Sequence, residues 1–477
     1  MGLFTSTPLP EPVGDCAPPV DEHPARIAAV RSQLRQAADS RLTHPRRFRM
    51  QQLRALDKML EEHTADFLAA LNQDLGKAPT EAKLTEIDSV RAEIDYALKH
   101  LAEWMDSSSV KIPLSLQPAL AKIEPRPLGM VLLIGPWNYP LQLVLSPLVA
   151  AIAAGNTAVL KPSELAPATS GALAKYLSEY LEPRAYAVIE GGVATATALL
   201  AEPWDHIFFT GGTKTAKIIA RAAAEHLTPT TLELGGKCPA VVDNHSPATA
   251  KRLAFAKFTN AGQTCVAPDY ILSIGDSAPL LKKLADAITS FYGKDPLTHP
   301  DLGRIATSRH FHRLAGLLQH GQIAHGGGMD EQTLRMEPTL LTKVDLDSPL
   351  MQEEIFGPIL PVIEVDSFDA AVQFIAARPA PLAAYLMSES PRAQSHFSDR
   401  VRAGAIVHNA PLAHTVVPGL PFGGVGPSGM GAYHGRHGFE RLSQMRPELS
   451  KTTVVDTLSA IYPPYTWAKR KIIDRLL

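Results

Sequence analysis

Three reactive side chains stand at the edges of apolar runs, each in a setting that restrains it. Cys265 lies in Asn260-Ala-Gly-Gln-Thr-Cys265-Val-Ala-Pro268, between a helix-like run (248–258) and a strand-like run (270–274). Gly262 permits a tight turn and keeps bulk away from the sulfur. A cysteine on such a turn can be partly exposed with a backbone N–H beside it, which suits a nucleophile. The competing reading is a free cysteine buried for packing. Asn138 lies between two prolines in Pro136-Trp-Asn-Tyr-Pro140. The fixed backbone lets its amide serve as a held hydrogen-bond donor; the plainer alternative is a turn-forming Asn. Glu233 alternates with leucines in Leu232-Glu-Leu-Gly-Gly-Lys237, at the end of a strand-like run. A carboxylate there is costly unless paired or functional, and Lys237 is the candidate partner for the structural alternative. A third polar loop, Glu353-Glu-Ile-Phe-Gly-Pro358, carries Glu354 and the ring of Phe356.

These stretches need a scaffold to bring them together. From Met130 the chain alternates short apolar strands (130–134, 157–160, 187–189, 206–209, 230–234) with helices (141–154, 193–200, 213–225). That alternation predicts a doubly wound parallel sheet. A second alternating region runs from Pro239 to about Asn409, with strands at 241–242, 270–273, 340–344 and 384–387 and helices at 248–258, 280–291 and 370–375. Two α/β regions joined near Leu234-Gly-Gly-Lys237 imply a cleft between them, where ligands bind preferentially. Upstream, residues 25–105 carry helical periodicity, as at Leu53, Leu56, Met59 and Leu60. Two short alternating runs around Gln117-Pro118 predict a projecting hairpin, the kind of arm that makes subunit contacts. Thr452-Thr-Val-Val reads as a segment that pairs with a partner's sheet edge.

Composition excludes several function classes. Forty-six basic residues balance 48 acidic ones in 477, which argues against nucleic acid as a partner. Three cysteines, Cys16, Cys238 and Cys265, fit a reducing, cytoplasmic location. No Cys/His spacing fits zinc, so no metal is expected, and the 17 histidines read as surface or packing residues. No secretory signal is visible. The apolar stretch 141–160 is interrupted by Gln142, Pro147, Gly155 and Asn156, so it reads as helix and strand, not as a membrane span. Met1-Gly-Leu-Phe-Thr-Ser6 fits the short pattern for acylation at Gly2. Gly424-Val-Gly-Pro-Ser-Gly429 matches the dinucleotide glycine pattern by letter, but no strand precedes it and Pro427 opposes a helix start. It reads as a tight backbone crossing.

Set side by side, these stretches resemble the aldehyde dehydrogenase superfamily over about residues 25–446. Five motifs fall in the family's order: Pro136-Trp-Asn-Tyr-Pro140, Lys161-Pro-Ser-Glu164, Phe209-Thr-Gly-Gly-Thr213, the Glu233 and Cys265 stretches, and Glu354-Ile-Phe-Gly-Pro358. Cys265-Val-Ala-Pro-Asp-Tyr270 and Pro421-Phe-Gly-Gly-Val-Gly-Pro-Ser-Gly-Met-Gly431 are most similar to the class 3 and fatty-aldehyde group. The resemblance implies an α/β fold: a doubly wound parallel-sheet NAD-binding domain (25–109 and 122–233, with a return at 421–446), a second α/β catalytic domain (234–420), and a small oligomerisation arm (110–121 and 447–477). A mobile arm (1–24) precedes them. It implies Cys265 as nucleophile, Asn138 as oxyanion donor and Glu233 as base, its pKa raised toward neutrality by a half-buried site. Lys161 and Glu164 would hold the adenosine ribose, Gly212 and Thr213 the pyrophosphate, and Trp137, Glu354 and Phe356 the nicotinamide end. Glu164 favours NAD; Lys161 tolerates the 2′-phosphate of NADP. The implied reaction oxidises a medium- or long-chain aliphatic or an aromatic aldehyde to its acid, in a homodimer with no transmembrane segment. Two alternatives are a CoA-acylating relative, which Glu233 argues against, and a catalytically silent one, which the full residue set argues against. Two departures stand out: Ala216 where many relatives have glycine, and His408-Asn-Ala-Pro-Leu-Ala-His414 near the expected substrate mouth. Cys238 reads as structural.

Overall fold

Runs such as Met130-Val-Leu-Leu-Ile134 are what a strand covered on both faces requires. In the computed structural model, which describes residues 21–476, all five of those residues are buried. The expectations for Gly2 and Cys16 lie outside the described residues. The first sheet has six strands in the spatial order Gly429–Met430, Thr230–Glu233, His206–Thr210, Met130–Ile134, Thr157–Lys161, Tyr186–Val188. Its neighbours are parallel except at the short Gly429–Met430 edge. Strand order reverses between Met130–Ile134 and His206–Thr210, which opens a crevice at their carboxyl ends, the place where doubly wound sheets bind ligands.

The second sheet has seven strands: Gln322–His325, Thr339–Thr342, Ile359–Val365, Tyr270–Ile274, Pro239–Val242, Ala383–Met387, Ala405–His408. Only the first pair is antiparallel. The sequence reading misses the interior strand Ile359–Val365, because Pro361 lies within it and prolines normally signal edges. It also misses the polar helices Ser308–Leu317 and Pro391–Arg400.

The N-terminal region is helical as expected, with a π-helical turn at Lys83–Ile87. At the start of the described residues the Asp21 carboxylate accepts from the Gly192 N–H at 2.7 Å and from the Thr195 hydroxyl at 2.9 Å. The arm is a three-stranded sheet, not a simple hairpin. Ser108–Val110 pairs with Ala119–Pro127, which pairs along its whole length with Ser443–Lys451. The chain thus enters the arm at Ser443, and residues 452–455 form no strand. Gly424 and Gly429 make a tight crossing: a Cβ on Gly424 would lie 2.0 Å from the Ser428 carbonyl oxygen. Among the described residues, no helix is long and apolar enough to cross a membrane.

Candidate active site

The crevice contains a cavity of about 270 Å³ whose walls include Trp137, Asn138, Gly212, Glu233, Cys265 and Glu354. On the other side of Cys265 lies an apolar chamber of about 290 Å³, walled by Tyr139, Leu143, Val266, Phe422 and Tyr433 among others. Cys265 borders both. The sheet ends explain the gathering. Asn138 follows the strand Met130–Ile134, Gly211 and Gly212 follow His206–Thr210, and Glu233 ends Thr230–Glu233.

The Cys265 loop departs from the helix Pro247–Phe258 through three left-handed residues, Asn260 (φ 54°), Ala261 (φ 51°) and Gly262 (φ 75°). Gln263 pins the turn: its amide donates to the Asn260 and Arg304 carbonyls at 3.0 Å and accepts from the Ala306 N–H at 3.0 Å. A Cβ on Gly262 would lie 2.2 Å from the Gly357 carbonyl oxygen. This glycine therefore lets the nucleophile loop touch the Glu354–Phe356 loop. Gly262→Ala is expected to destabilise the fold by about 2 kcal/mol or more through backbone strain and overpacking, with activity falling too. Urea unfolding and turnover of the variant check this; wild-type stability would refute it.

Cys265 is partly exposed. Burial, then the nearby carboxyls of Glu354 and Glu233, push its pKa up, while the backbone N–H groups of Cys265 and Val266 pull it down. The thiol therefore rests protonated, and attack needs a base. Glu233 is more deeply set than the half-buried position expected, at 2% exposure. Neither carboxyl oxygen has a hydrogen-bond partner among the described residues. Lys237 is not its partner: that ammonium donates to Asp269 (2.5 Å) and to the Leu350 and Glu353 carbonyls (2.8 Å each). Burial alone raises the Glu233 pKa well above the usual carboxyl range. An unpaired buried carboxyl at a cleft is a costly feature, which marks it as a functional candidate.

Asn138 is held from two sides. Its side-chain Nδ2 donates one hydrogen to the Gln263 carbonyl at 3.0 Å, leaving the second free for another acceptor. Its backbone carbonyl accepts from Asn260 Nδ2 (2.8 Å) and Lys77 Nζ (2.9 Å). Lys77 is also paired with Glu86, and both are fully buried. Glu86 in turn accepts from the Leu141 and Gln142 N–H groups, at 3.1 and 3.0 Å, capping the helix Gln142–Ala154. Sequence reasoning missed this pair, since two charges nine residues apart in a helical region look solvated. Lys77→Met leaves the Glu86 charge uncompensated and is expected to cost about 3–5 kcal/mol. Lys77→Met with Glu86→Gln should recover part of that loss in urea unfolding; equal stability of the single variant and wild type would refute the pairing.

The remaining residues form the other end of the crevice. Gly212 precedes the helix Thr213–Glu225, and a Cβ there would meet nothing within 4 Å, so the helix N-terminus faces open space. The Thr213 hydroxyl donates to the Pro427 carbonyl at 3.4 Å. Ala216 is buried within that helix. Lys161, at the end of its strand, pairs with Glu164 at 3.0 Å. Glu354 Oε1 has no partner among the described residues. Burial, then Asp269, push the Glu354 pKa up to about 8. Its carboxyl fits because Gly235 has no side chain: a Cβ there would lie 2.1 Å from Oε2. Trp137 stands edge-on to Phe356 (5.3 Å) and tilts over His310 (5.0 Å). His310, on a helix the sequence reading missed, packs against Trp137 and borders the cavity. Cys238 is buried, and its thiol contacts the Cys265 carbonyl at 3.4 Å, a structural role as expected.

The chain is similar to known proteins over most of its length. A sequence model described as the Aldehyde dehydrogenase family matches residues 21–447. Aldehyde dehydrogenase family 3 member A2 from Mus musculus is 44% identical over 446 residues, 92% of this chain and 92% of that protein. The substrate-bound structure of AldH from Staphylococcus aureus is 42% identical, with a TM-score of 0.91 over 94% of this chain and 99% of that one. A cysteine-to-alanine mutant of Aldehyde Dehydrogenase C from Pseudomonas syringae, complexed with NAD+ and octanal, is 28% identical, with a TM-score of 0.81 over 90% and 89% of the two chains.

Proposed function

The chain belongs to the aldehyde dehydrogenase family, and from that premise we propose that it oxidises aldehydes to carboxylic acids with NAD+, through a thioester on Cys265. One observation carries the reading: Cys265 forms the wall between an apolar chamber and a polar crevice that also holds Glu233 and Asn138. The aldehyde enters from the apolar side. The Cys265 thiol loses its proton to Glu233 and the sulfur adds to the carbonyl carbon. The charge that grows on oxygen is met by the second hydrogen of Asn138 Nδ2 and by the Cys265 N–H, each such donor being worth about 2.7–4 kcal/mol. NAD+, when bound, supplies the hydride acceptor. Glu233 then takes a proton from water as that water attacks the thioester, releasing the acid and the thiol.

The residues suit that cofactor. Gly212, Thr213 and an open helix N-terminus favour a pyrophosphate. Glu164, held by Lys161, would accept from ribose hydroxyls, which favours NAD+, while the Lys161 charge tolerates a 2′-phosphate. Glu354, Phe356 and Trp137 would frame the nicotinamide end. The apolar chamber favours medium or long aliphatic chains or aromatic rings, and the octanal-bound relative supports the first. We also infer a homodimer, because the arm sheet presents Leu120 (78% exposed) and Leu449 (60%) to solvent. A thiol nucleophile suits a reducing, cytoplasmic setting.

Incubation with an aldehyde panel, following NADH absorbance with NAD+ and NADP+ in turn and without CoA, tests the reading. The expected result is free carboxylic acid in step with NADH, faster with NAD+. A strict need for CoA would favour the acylating alternative, and absence of any NADH would overturn the assignment.

A further inference from the structure

The apolar chamber beside Cys265 adjoins a smaller cavity of about 130 Å³ with a different lining. Leu84, Ser89, Gln142, Thr415, Val416 and His434 border both spaces. The smaller space adds Asp88, Glu93 and Ser146. His434 and Glu93 are each 5% exposed. His434 Nε2 has no hydrogen-bond partner among the described residues, although an unsatisfied buried nitrogen costs about 1–3 kcal/mol. Burial, then His414, hold its pKa down to about 4, so the ring is neutral and one nitrogen donates while the other accepts. Stacking on Phe422 at 5.5 Å and edge contact with Tyr433 at 4.4 Å fix the ring. Glu93 Oε1 accepts from the N–H of Gly435, the residue after His434, so the carboxyl and the imidazole meet at one backbone turn.

A saturated chain that reaches this end covers both groups without satisfying either. A terminal carboxylate would find no cation to pair with in this lining, since the Lys83 ammonium is taken by Asp88 at 2.7 Å and burial pushes the Glu93 carboxyl up to about 7. A hydroxyl both donates and accepts, so it can give its hydrogen to Glu93 and take one from His434. We propose that this side cavity is a distal subsite that selects aldehydes bearing a hydroxyl at the end remote from the carbonyl, with Glu93 and His434 as its specificity residues. The proposal rests on the aldehyde-oxidation reading and narrows its substrate class.

Two measurements test it. The first compares kcat/KM for terminally hydroxylated alkanals and for plain alkanals of equal length, over a ladder of lengths. The expected result is a preference for the hydroxylated chain of ~10-fold or more at the length that spans the chamber, and none for short chains. Glu93→Gln and His434→Phe should each bring that ratio toward one. The second needs no turnover. A terminal alkanediol and the alkanol of equal length are compared as protectants of Cys265 against iodoacetamide, read by mass spectrometry of the Cys265 peptide. The diol should protect at ~10-fold lower concentration, and Glu93→Gln should erase the difference. Equal ratios at every length, with equal protection, would overturn the subsite and make the space a water pocket. Loss of all aldehyde oxidation with the diol advantage intact would count against the oxidation reading and leave the subsite standing.

Discussion

A Cys265→Ala variant is expected to fold normally and to lose NADH production by a factor of at least ~10⁴, the scale on which removing a covalent nucleophile acts elsewhere. The substitution removes one sulfur atom from a partly exposed position. The loop's shape comes from Gln263 and the left-handed residues before it, none of which is touched. Stability should therefore stay within about 1 kcal/mol of wild type. Rescue by the neighbouring thiol is not expected. Cys238 is fully buried, and burial pushes its pKa well up, so it is neither accessible nor ionised. Titration of the variant with NAD+, read by tryptophan fluorescence, should give the wild-type affinity. Turnover within tenfold of wild type in a folded variant would remove Cys265 from the mechanism.

The parts legible in the sequence are those whose local pattern has one physical meaning. Parallel strands buried on both faces read as near-continuous apolar runs, as at Met130–Ile134, Thr157–Lys161 and His206–Thr210. Asn138 between prolines, Glu233 among leucines and Cys265 behind Gly262 each broke a local rule, and such breaks mark function. Other features depend on partners far away in the chain. Ile359–Val365 lies inside its sheet although it contains Pro361, because the flanking strands Thr339–Thr342 and Tyr270–Ile274 enclose it. Lys77 and Glu86 look like solvated helix charges until the Asn138 loop and the helix Gln142–Ala154 close over them. His310 and His434 have no distinguishing neighbours in sequence. Only the cavities they border separate them from the other histidines.

Glu233→Gln is expected to separate the two halves of the reaction and to stabilise the protein while disabling it. With the acyl group on Cys265 and no base for water, NADH should still appear in a burst of about one equivalent per site, formed more slowly than in wild type because Glu233 also takes the thiol proton. The following steady rate should fall by ~10²–10⁴. The wild-type steady rate should climb with pH toward the raised pKa of Glu233, since only its ionised form accepts a proton; the variant should lack that rise. The same pKa fixes the stability effect. In the unfolded chain Glu233 ionises near the ordinary carboxyl value of 4.5, whereas burial keeps it protonated in the folded protein to a much higher pH. Between those two values the folded state holds a proton that the unfolded state has released, so wild-type stability falls as pH rises. The slope from this group is about 1.4 kcal/mol per pH unit at most. Glutamine carries no such proton, so its advantage in urea unfolding should be near zero below the ordinary carboxyl pKa and should widen toward neutral pH. A variant whose stability difference from wild type does not change with pH would show that the Glu233 carboxyl is ionised and compensated in the fold. Glu233 would then lack the raised affinity for a proton that its role as base requires.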